Sequence, residues 1–570
     1  MNNLTGAADT IETSIINSAL WAAAGDAVGW ISELTDAKGL RRRAGTDSLL
    51  KPVAWKRKIG GIGGVMVELP SGTYSDDTQL RLSVSRAIRS DGTFDVELFA
   101  KIELPVWQSY SLGAGKGSRA AAANLSKRDV NWFSNFYVYD GSKSYVDGGG
   151  NGAAMRIQPH VWRRVGKDNS NYLDDVVKDS IVTHGNMRGI CGAVFHACCL
   201  AFCFKHGEVP GPSEWIKFID GFHKIADVVH RDFQLSRFWL NTWEHLSKKK
   251  LASAILDVAL ECQNHVQELL KIHWSEEHTY TEILECLGSF SNESKGTGTN
   301  TAIAAAALAW TCRDSNKSNP ERAILYAANA IGSDTDTIGT MVGALIGAIA
   351  DGPPSWPIQD YDYIVLEARR MAGLSRGETV QSYNYPDLMG WQAPSTLSDA
   401  VAVNDGRFFL SGLGSISPRN KPWISGDFVW QWFSTKFGQT LLCKFRSELR
   451  EVIGVGAGEI RSDLRRIASD KAPLSRINRE PELPFFEKKL SIETKDEHLT
   501  GDIEKDLKVR TIAPSIEELT ELVIQSNFDP TTIGNCLLVL AEDSLGIEKS
   551  IAFSSVIVKA LTARRRRLQR

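Results

Sequence analysis

The chain has 570 residues, of which 43% are hydrophobic and 23% are charged. A chain of this length exceeds what one hydrophobic core usually holds, so we expect two or three domains. The formal net charge is only −3, which excludes a global electrostatic attraction to nucleic acid.

Apolar residues recur at helical spacing along much of the chain, and few segments show the alternation typical of strands. This period predicts a mainly α-helical protein with an all-α domain. The segments with a helical period are residues 13–24, 78–89, 174–181, 189–204, 301–310 and 338–349.

The sequence predicts a cytoplasmic protein without a membrane partner. Its N-terminus is polar and has no basic region before an apolar one, so we expect no signal peptide. The longest apolar segments, residues 15–34 and 338–350, are interrupted by charge or too short to cross a bilayer, and we assign both to a packed core. The nine Cys residues have no CxxC spacing, which is typical of reduced core thiols.

Two clusters combine acidic and hydroxyl side chains: Ser-Asp-Asp-Thr at residues 75–78 and Ser-Asp-Thr-Asp-Thr at residues 333–337. Carboxylate and hydroxyl oxygens suit hard cations such as Mg²⁺, Mn²⁺ or Ca²⁺ better than Zn²⁺. The same pattern is also that of a helix N-cap followed by acidic residues that the helix dipole favours. Each cluster by itself therefore fits either a metal site or a helix start.

A glycine-rich segment at residues 147–156 adds a third feature. Its four glycines allow the backbone to approach a phosphate closely, and Asn151 can hydrogen-bond a ribose or a water. A glycine run by itself is more often a flexible turn. Its significance depends on the other motifs.

Five motifs in a fixed order resemble the ADP-ribosylglycohydrolase family, which includes dinitrogenase reductase-activating glycohydrolase. They run from about residue 14 to about residue 356. The motifs are Gly-Asp-Ala-Val-Gly at residues 25–29 with Glu33, Tyr-Ser-Asp-Asp-Thr-Gln at 74–79, Gly-Asn-Gly-Ala-Ala-Met-Arg at 150–156, Thr-His at 183–184, and Gly-Ser-Asp-Thr-Asp-Thr at 332–337.

The resemblance implies an all-α, orthogonal helical domain with a centre of two Mg²⁺ or Mn²⁺ ions. It implies that Asp26 orients ligands from outside the centre. The metal ligands that it implies are Ser75, Asp76, Asp77, Asp334, Asp336 and Thr337. The catalytic residues would be Asp77, Asp336 and Glu33, with a surface carboxylate as the alternative for Glu33. The substrate-binding residues would be Gly150, Asn151, Gly152 and His184.

The chemistry implied is cleavage of the glycosidic bond at C1″ of ADP-ribose, through a transition state with oxocarbenium character. The metals would orient the ribose and activate a water, and a carboxylate would accept its proton. The chain departs from the family where some relatives place an aromatic residue before Gly-Asn-Gly, since Gly149 stands there. We expect Tyr145 to take that aromatic role.

The resemblance ends near residue 395. We therefore predict a catalytic domain at residues 1–395, an aromatic-rich accessory segment at 396–466, a charged linker at 467–512 and a small helical unit at 513–570. Glycines and prolines at 412–422 predict turns followed by a helix. Ser-Ile-Glu-Glu at 515–518 predicts a capping box at the start of another helix.

These features predict a metal-dependent hydrolase that removes ADP-ribose from a modified protein or a small molecule, and that acts against a toxin's ADP-ribosylation as an immunity protein. Two other classes stay open. One is a non-catalytic sensor of ADP-ribose, and the other is a different phosphohydrolase with two metals. No nucleic-acid partner is expected, although the arginine-rich end of the C-terminal region leaves contact with phosphates open.

Overall fold

The computed structural model describes residues 2–167, 172–274, 279–315, 318–449, 515–541 and 546–568. The chain divides into two compact units, Met1–Ala468 and Ser469–Arg570. The charged linker predicted at residues 467–512 lies outside the described residues, as does the end of the aromatic-rich segment, residues 450–466. The domain limits predicted from the sequence stay predictions.

The first unit is mainly α-helical, as predicted. Two short antiparallel hairpins lie between its helices: β1 (Trp55–Ile59) with β2 (Val65–Leu69), and β3 (Val138–Tyr139) with β4 (Lys143–Ser144). The helices are α1 (Asn2–Ser32), α2 (Ala37–Ala44), α3 (Asp76–Arg86), α4 (Val96–Leu98), α5 (Leu104–Trp107), α6 (Lys116–Leu125), α7 (Gln158–Trp162), α8 (Tyr172–Thr183), α9 (Met187–His206), α10 (Pro212–Asp220), α11 (Lys224–Arg231), α12 (Leu240–Ser247), α13 (Leu251–Leu269), α14 (Thr279–Cys286), α15 (Gly298–Thr311), α16 (Glu321–Asn329), α17 (Thr335–Gly347) and α18 (Tyr361–Ser375).

Helices α1 and α17 cross with their backbones in contact, and glycines make this possible. A Cβ on Gly25 would lie 2.0 Å from the carbonyl oxygen of Gly339, and one on Gly29 would lie 2.3 Å from that of Thr335. A larger residue at either position would force the helices apart. Because α17 begins in the second acidic cluster, this crossing brings that cluster against the end of α1.

Helices α9 and α15 cross in the same way beside the glycine-rich segment. A Cβ on Gly192 would lie 2.3 Å from the carbonyl carbon of Gly298, and one on Gly298 would lie 3.1 Å from the carbonyl oxygen of Gly150. Helix α9 is long and apolar enough to cross a membrane, but 72% of its apolar stretch is buried inside the protein. The burial identifies α9 as a core helix.

An antiparallel sheet of six strands ends the described part of the first unit. The strands pair in the order β10-β9-β7-β6-β5, and β8 pairs with β9 beside that path. Their bounds are β5 (Val401–Asn404), β6 (Arg407–Leu410), β7 (Gly414–Pro418), β8 (Trp423–Ser425), β9 (Phe428–Thr435) and β10 (Thr440–Arg446). The buried side chains of this sheet belong to the same continuous hydrophobic core as the helices.

The prediction of a helix after the turns at residues 412–422 is wrong, because the residues that follow these turns form strands β8, β9 and β10. The aromatic and β-branched residues of β9 favour a strand. Five successive residues of β9, Val429 to Phe433, are buried, so both faces of the strand lie in the core. Burial of successive residues removes the alternation of polar and apolar residues by which a strand is recognised in a sequence.

The second unit contains α19 (Ile516–Gln525), α20 (Pro530–Ala541) and α21 (Gly546–Leu568). Ser515 and Glu518 form the capping box that the sequence predicts at the start of α19. This unit has a small hydrophobic core of its own, which consists of Leu519, Val523, Cys536, Leu540, Phe553 and Ile557.

Candidate active site

A cavity of about 480 Å³ in the first unit collects residues from all of the sequence motifs. A volume of this size suits a nucleotide-sized ligand. Among the site residues predicted from the sequence, Ser75 is not part of the cavity wall. Those that line the cavity are Glu33, Asp76, Asp77, Gly150, Asn151, Gly152, His184, Asp334, Asp336 and Thr337.

The first acidic cluster starts helix α3, and Asp26 of α1 holds it in place. The carboxylate of Asp26 accepts hydrogen bonds from the backbone N–H of Ser75 at 2.9 Å, from the N–H of Thr78 at 2.9 Å and from the hydroxyl of Thr78 at 2.6 Å. The hydroxyl of Ser75 accepts from the N–H of Asp77 at 3.3 Å as an N-cap. Ser75 therefore acts as a helix cap, while Asp76 and Asp77 face the cavity.

A buried arginine, Arg81, extends the hydrogen-bond network of Asp26 through Thr78. Arg81 is 2% exposed and donates from Nη2 to the hydroxyl oxygen of Thr78 at 2.8 Å. Since arginine only donates, the Thr78 hydroxyl accepts from Arg81 and donates its own hydrogen bond to Asp26. Burial lowers the pKa of Arg81 to about 10, and the charge of Asp26 opposes that fall. Burial also raises the pKa of Asp26, against the hydrogen bonds from Thr78 and Ser75.

The loop before α6 closes tightly over Asp76, and Gly113 allows the close approach. Gly113 has φ +88°, and a Cβ there would lie 3.0 Å from both Asp76 Oδ1 and Trp30 Nε1. The backbone N–H of Asp76 donates to the carbonyl of Leu112 at 2.7 Å. Sequence reasoning missed Gly113, because its position against α3 depends on tertiary contacts that no local motif signals.

The second acidic cluster forms the first turn of α17, next to α1. The hydroxyl of Thr335 donates to the carbonyl of Gly29 at 2.8 Å, which ties this turn to α1. Asp336 Oδ1 accepts from the N–H of Thr337 at 2.9 Å. Gly332 has φ +102°, a conformation that suits glycine, and so permits the turn before Asp334.

The Gly-Asn-Gly loop contacts this second cluster directly. Asn151 Nδ2 donates to Asp334 Oδ2 at 3.0 Å and to the hydroxyl oxygen of Thr301 at 3.1 Å. The N–H of Asn151 donates to the carbonyl of Gly296 at 3.0 Å. A Cβ on Gly296, whose φ is +73°, would lie 2.7 Å from Asp334 Oδ2. The loop at 150–152, the turn at Gly296 and the acidic turn thus form one compact wall of the cavity.

His184 faces the same loop as a neutral side chain. Burial, together with the nearby Arg156, lowers the pKa of His184 to about 3. Arg156 donates to the hydroxyl of Thr183 at 2.9 Å, and that hydroxyl lies 2.7 Å from His184 Nδ1. Because Arg156 can only donate, the Thr183 hydroxyl accepts from Arg156 and donates to Nδ1 of His184, the acceptor within reach among the described residues. The proton of the neutral imidazole is therefore on Nε2. Nε2–H then points toward the glycine loop, where a Cβ on Gly152 would lie 3.3 Å away.

Glu33 lies just beyond the end of α1, where its side chain is 13% exposed. Arg57 Nη1 lies 3.4 Å from Glu33 Oε2, and the Arg57 guanidinium stacks over the ring of Trp30. Burial raises the pKa of Glu33 to about 7; the charge of Arg57 opposes this rise and that of Asp334 adds to it. Glu33 is therefore part of the same electrostatic cluster as the second acidic motif.

The acidic groups of the cavity repel one another. Burial first, and then neighbouring carboxylates, raise the pKa of Asp76, Asp77 and Asp336 well above the ordinary value. Asp77 Oδ2 is buried without a hydrogen-bond partner. An all-oxygen set with an unpartnered carboxylate oxygen fits a hard divalent cation. Within the described residues, no three His, Cys, Asp or Glu side chains are already arranged to hold one ion, so binding would require these side chains to converge.

The expectation for Tyr145 is wrong. Its ring is 1% exposed, its hydroxyl donates to the carbonyl of Ile181 at 2.7 Å, and Trp239 Nε1 donates to that hydroxyl. The ring packs against Gly185, where an added Cβ would lie 2.4 Å from a ring carbon of Tyr145, and Tyr145 does not line the cavity. The aromatic residues that do line the cavity are Tyr137 and Tyr139, and its basic residues are Lys116, Lys143, Arg188 and Lys295.

Comparison with known proteins shows one family match and two similar proteins. Residues 8–377 match the family described as ADP-ribosylglycohydrolase. An uncharacterized protein of Escherichia coli (strain K12), YegU, is 27% identical over 288 residues, which cover 48% of this chain and 71% of YegU. A solved structure described as an ADP-ribosylglycohydrolase-related protein complex is 16% identical, with a TM-score of 0.39 over 64% of this chain and 99% of that one. The match over residues 8–377 spans more than half of the chain and includes every residue of the cavity wall, and the chain belongs to the ADP-ribosylglycohydrolase family.

Proposed function

We propose that the chain is a metal-dependent hydrolase that removes ADP-ribose from a modified protein or another acceptor by cleaving the glycosidic bond at C1″. Its family is one of hydrolases that act on ADP-ribosylated substrates and typically use divalent metals. The observation that supports the proposal best is the contact between Asn151 and Asp334, because it joins a ribose-binding type of loop to an acidic turn inside one cavity.

Two Mg²⁺ or Mn²⁺ ions are the proposed cofactors. Bound to the acidic groups, such ions would supply Lewis acidity that orients ribose hydroxyls and activates a water. The residues proposed to hold them are Ser75, Asp76, Asp77, Asp334, Asp336 and Thr337. Ser75 accepts the N–H of Asp77 and does not line the cavity, so its hydroxyl would have to present its second lone pair to the ion.

The other cavity residues bind and orient the substrate. The absence of side chains at Gly150 and Gly152 leaves the backbone accessible to a diphosphate. His184, with its proton on Nε2, is a neutral donor to a phosphate or ribose oxygen. Asn151 holds Asp334 in place and forms part of the wall beside the ribose. Two of the four basic residues of the cavity, Lys116 and Arg188, already pair with Asp140 and Glu261. Lys143 and Lys295 are therefore the basic residues proposed to contact an anionic ligand.

A carboxylate takes up the proton that leaves the attacking water. Asp77, Asp336 and Glu33 are the candidates, because all three line the cavity and burial raises their pKa toward the range where a general base is effective. Glu33 differs from the other two because it pairs with Arg57, and the positive charge of Arg57 favours the ionised form of Glu33.

We also propose that the protein acts in the cytoplasm and reverses a toxin's ADP-ribosylation. All nine cysteines are free thiols, which fits a reducing compartment. Burial raises the pKa of Cys191, Cys199 and Cys203, so these thiols are packing residues and not nucleophiles.

The test is incubation of the full chain with peptides that carry ADP-ribose on arginine or on serine, with and without Mg²⁺ or Mn²⁺. Mass spectrometry should detect free ADP-ribose and the unmodified peptide only when metal is present. Release of AMP or phosphate would indicate a phosphohydrolase. Binding of ADP-ribose with no product would indicate a sensor. Either result would contradict the proposal.

A further inference from the structure

The turn that joins β9 to β10 contacts helix α3: the guanidinium of Arg86 lies over the ring of Phe437, and Gln439 makes hydrogen bonds. Gln439, in the turn between β9 and β10, is 0% exposed. Its Oε1 accepts from Arg86 Nη1 at 2.7 Å, and its Nε2 donates to the hydroxyl of Tyr74 at 3.3 Å. Tyr74 immediately precedes the first acidic cluster, and Arg86 is the last residue of α3. A single side chain therefore contacts both ends of the segment that carries Asp76 and Asp77.

Both partners of Gln439 are themselves fixed. Arg86 pairs with Glu103 through two hydrogen bonds, Nε to Oε1 at 2.8 Å and Nη2 to Oε2 at 2.7 Å. The hydroxyl of Tyr74 donates to Asp360 Oδ2 at 2.6 Å. All of these groups are mostly or fully buried, so each hydrogen bond is made where water does not compete and where loss of a partner leaves a polar group unsatisfied.

The turn that presents Gln439 is rigid as well. The N–H of Gln439 donates to the hydroxyl of Thr435 at 2.9 Å, and that hydroxyl donates to the carbonyl of Gln439 at 2.8 Å. The N–H of Thr440 donates to Asp360 Oδ2 at 2.8 Å, the oxygen that also accepts from Tyr74. Tyr74, just before α3, and Thr440 of β10 thus share one hydrogen-bond acceptor, Asp360 Oδ2.

We propose that Gln439 is a positioning residue for the first acidic cluster, and that the sheet thereby completes the active site. Gln439 lies outside residues 8–377, which match the family, so this chain supports its acidic cluster from a region beyond the family match. The inference rests on the proposed function, since it assigns Gln439 a role in placing the proposed ligands Asp76 and Asp77.

Two variants and one control test the proposal in the full chain. Gln439→Met keeps the side-chain size but removes both hydrogen bonds, and Tyr74→Phe removes only the hydroxyl. Phe445→Leu is the control: Phe445 is 4% exposed in β10 and packs against Phe408 and Phe433 of the same sheet, so this change weakens the sheet without touching the polar contacts of α3.

The first readout needs no metal. Hydrogen exchange of the peptide that spans residues 74–78 should be faster in metal-free Gln439→Met and Tyr74→Phe than in the wild type, at a temperature where all variants are folded. Phe445→Leu should lower the melting temperature but leave this exchange unchanged. Tyr74→Phe also removes the bond to Asp360, so it reports on the Tyr74 hydroxyl and not on Gln439 alone. If Gln439→Met does not fold, Gln439→Glu, which keeps an acceptor for Arg86 and loses the donor to Tyr74, carries the comparison.

The second readout is the Mn²⁺ concentration that gives half-maximal thermal stabilisation. Loss of a residue that orients ligands typically weakens metal binding by about 10- to 100-fold, and we expect Gln439→Met to fall in that range while Phe445→Leu matches the wild type. Equal exchange and equal Mn²⁺ response in Gln439→Met and Phe445→Leu would overturn the inference. A wild type that shows no Mn²⁺ response would instead contradict the proposed function, and the exchange comparison would still decide the role of Gln439.

Discussion

Asn151 and Asp334 lie 183 positions apart in the chain, and their side chains meet at 3.0 Å in the wall of the cavity. The contact connects the Gly-Asn-Gly loop to the first turn of α17. The contact engages one carboxylate oxygen of Asp334, Oδ2. An amide in this position orients a carboxylate without neutralising it.

Asn151→Ala should therefore lower kcat/KM by about 10- to 100-fold, because Asp334 loses the donor that orients it. The matched control is Asn135→Ala. Asn135 is buried, whereas Asn151 is partly buried; Asn135 donates to the carbonyls of Ala121 and Val182 and does not line the cavity. Steady-state kinetics of both variants, with melting temperatures, check the prediction. An equal loss of activity in both would show that Asn151 acts through stability alone.

Asp77→Asn should have opposite effects on activity and on stability. Loss of the charge should lower kcat by about two orders of magnitude or more, since a missing ligand misplaces the metal and the water together. The metal-free variant should melt at a higher temperature than the metal-free wild type, because burial and repulsion raise the pKa of the Asp77 carboxyl. Asp336→Asn should behave in the same way. A variant that retains wild-type activity would remove Asp77 from the proposed ligands.

Divalent cations should stabilise the protein more at pH 8 than at pH 5.5. The pKa of Asp76, Asp77 and Asp336 is raised in the folded state above 3.8. The folded state therefore binds more protons than the unfolded state above about pH 3.8, and the stability of the metal-free protein falls as the pH rises. Mn²⁺ replaces those protons and adds stability by mass action. Thermal melts with Mn²⁺ and with chelator at the two pH values measure the difference, and a smaller shift at pH 8 would contradict the assignment.

His184 should not titrate between pH 5.5 and 8. Its pKa is lowered to about 3 in the folded protein, from 6.5 in the unfolded chain. The neutral ring thus contributes stability that is present above pH 6.5 and is lost as the pH falls toward 3. Histidine-specific hydrogen exchange followed by mass spectrometry can report the pKa of this residue. A value near 6.5 would place water around His184 and contradict its buried position.

Contrary to the catalytic domain predicted at residues 1–395, a chain that ends at residue 395 should not give a folded, active protein, because residues 1–468 form one compact unit. The sheet that such a truncation removes shares one hydrophobic core with the helices and includes the buried residues Trp430, Phe433 and Leu441. Its loss would also leave Arg86 Nη1 without its bond to Gln439. Solubility and circular dichroism of the truncated chain test this directly. A soluble, helical and active product would show that the sheet is dispensable.

The sequence predicts which residues meet in the cavity because they belong to short motifs. Residues from both acidic clusters, from the Gly-Asn-Gly loop and His184 line one cavity, and their roles as ligands, catalysts or substrate-binding residues stay predictions. The hydroxyl of Ser75 shows the limit of motif reasoning, since one pattern encodes both a helix cap and a ligand, and the structure shows the cap.

Contacts made between distant segments could not be predicted in this way. Gly113 and Gln439 carry no local signal, and both matter because the fold brings them against α3. Tyr145 was the nearest aromatic residue in the sequence, but its ring turns into the core, and Tyr139 lies in the cavity wall. The strand β9 escaped recognition because its successive buried residues lack a period.

The most direct test of the account is the location of Mn²⁺ by anomalous scattering in crystals of the full chain soaked with the ion. Two anomalous peaks are expected in the cavity, roughly 3.5–4 Å apart as in two-metal sites. One peak should contact Asp76 or Asp77, and the other should contact Asp334 or Asp336. A cavity without Mn²⁺ at saturating concentration, or ions bound only outside it, would contradict the central claim that the two acidic clusters form one metal centre.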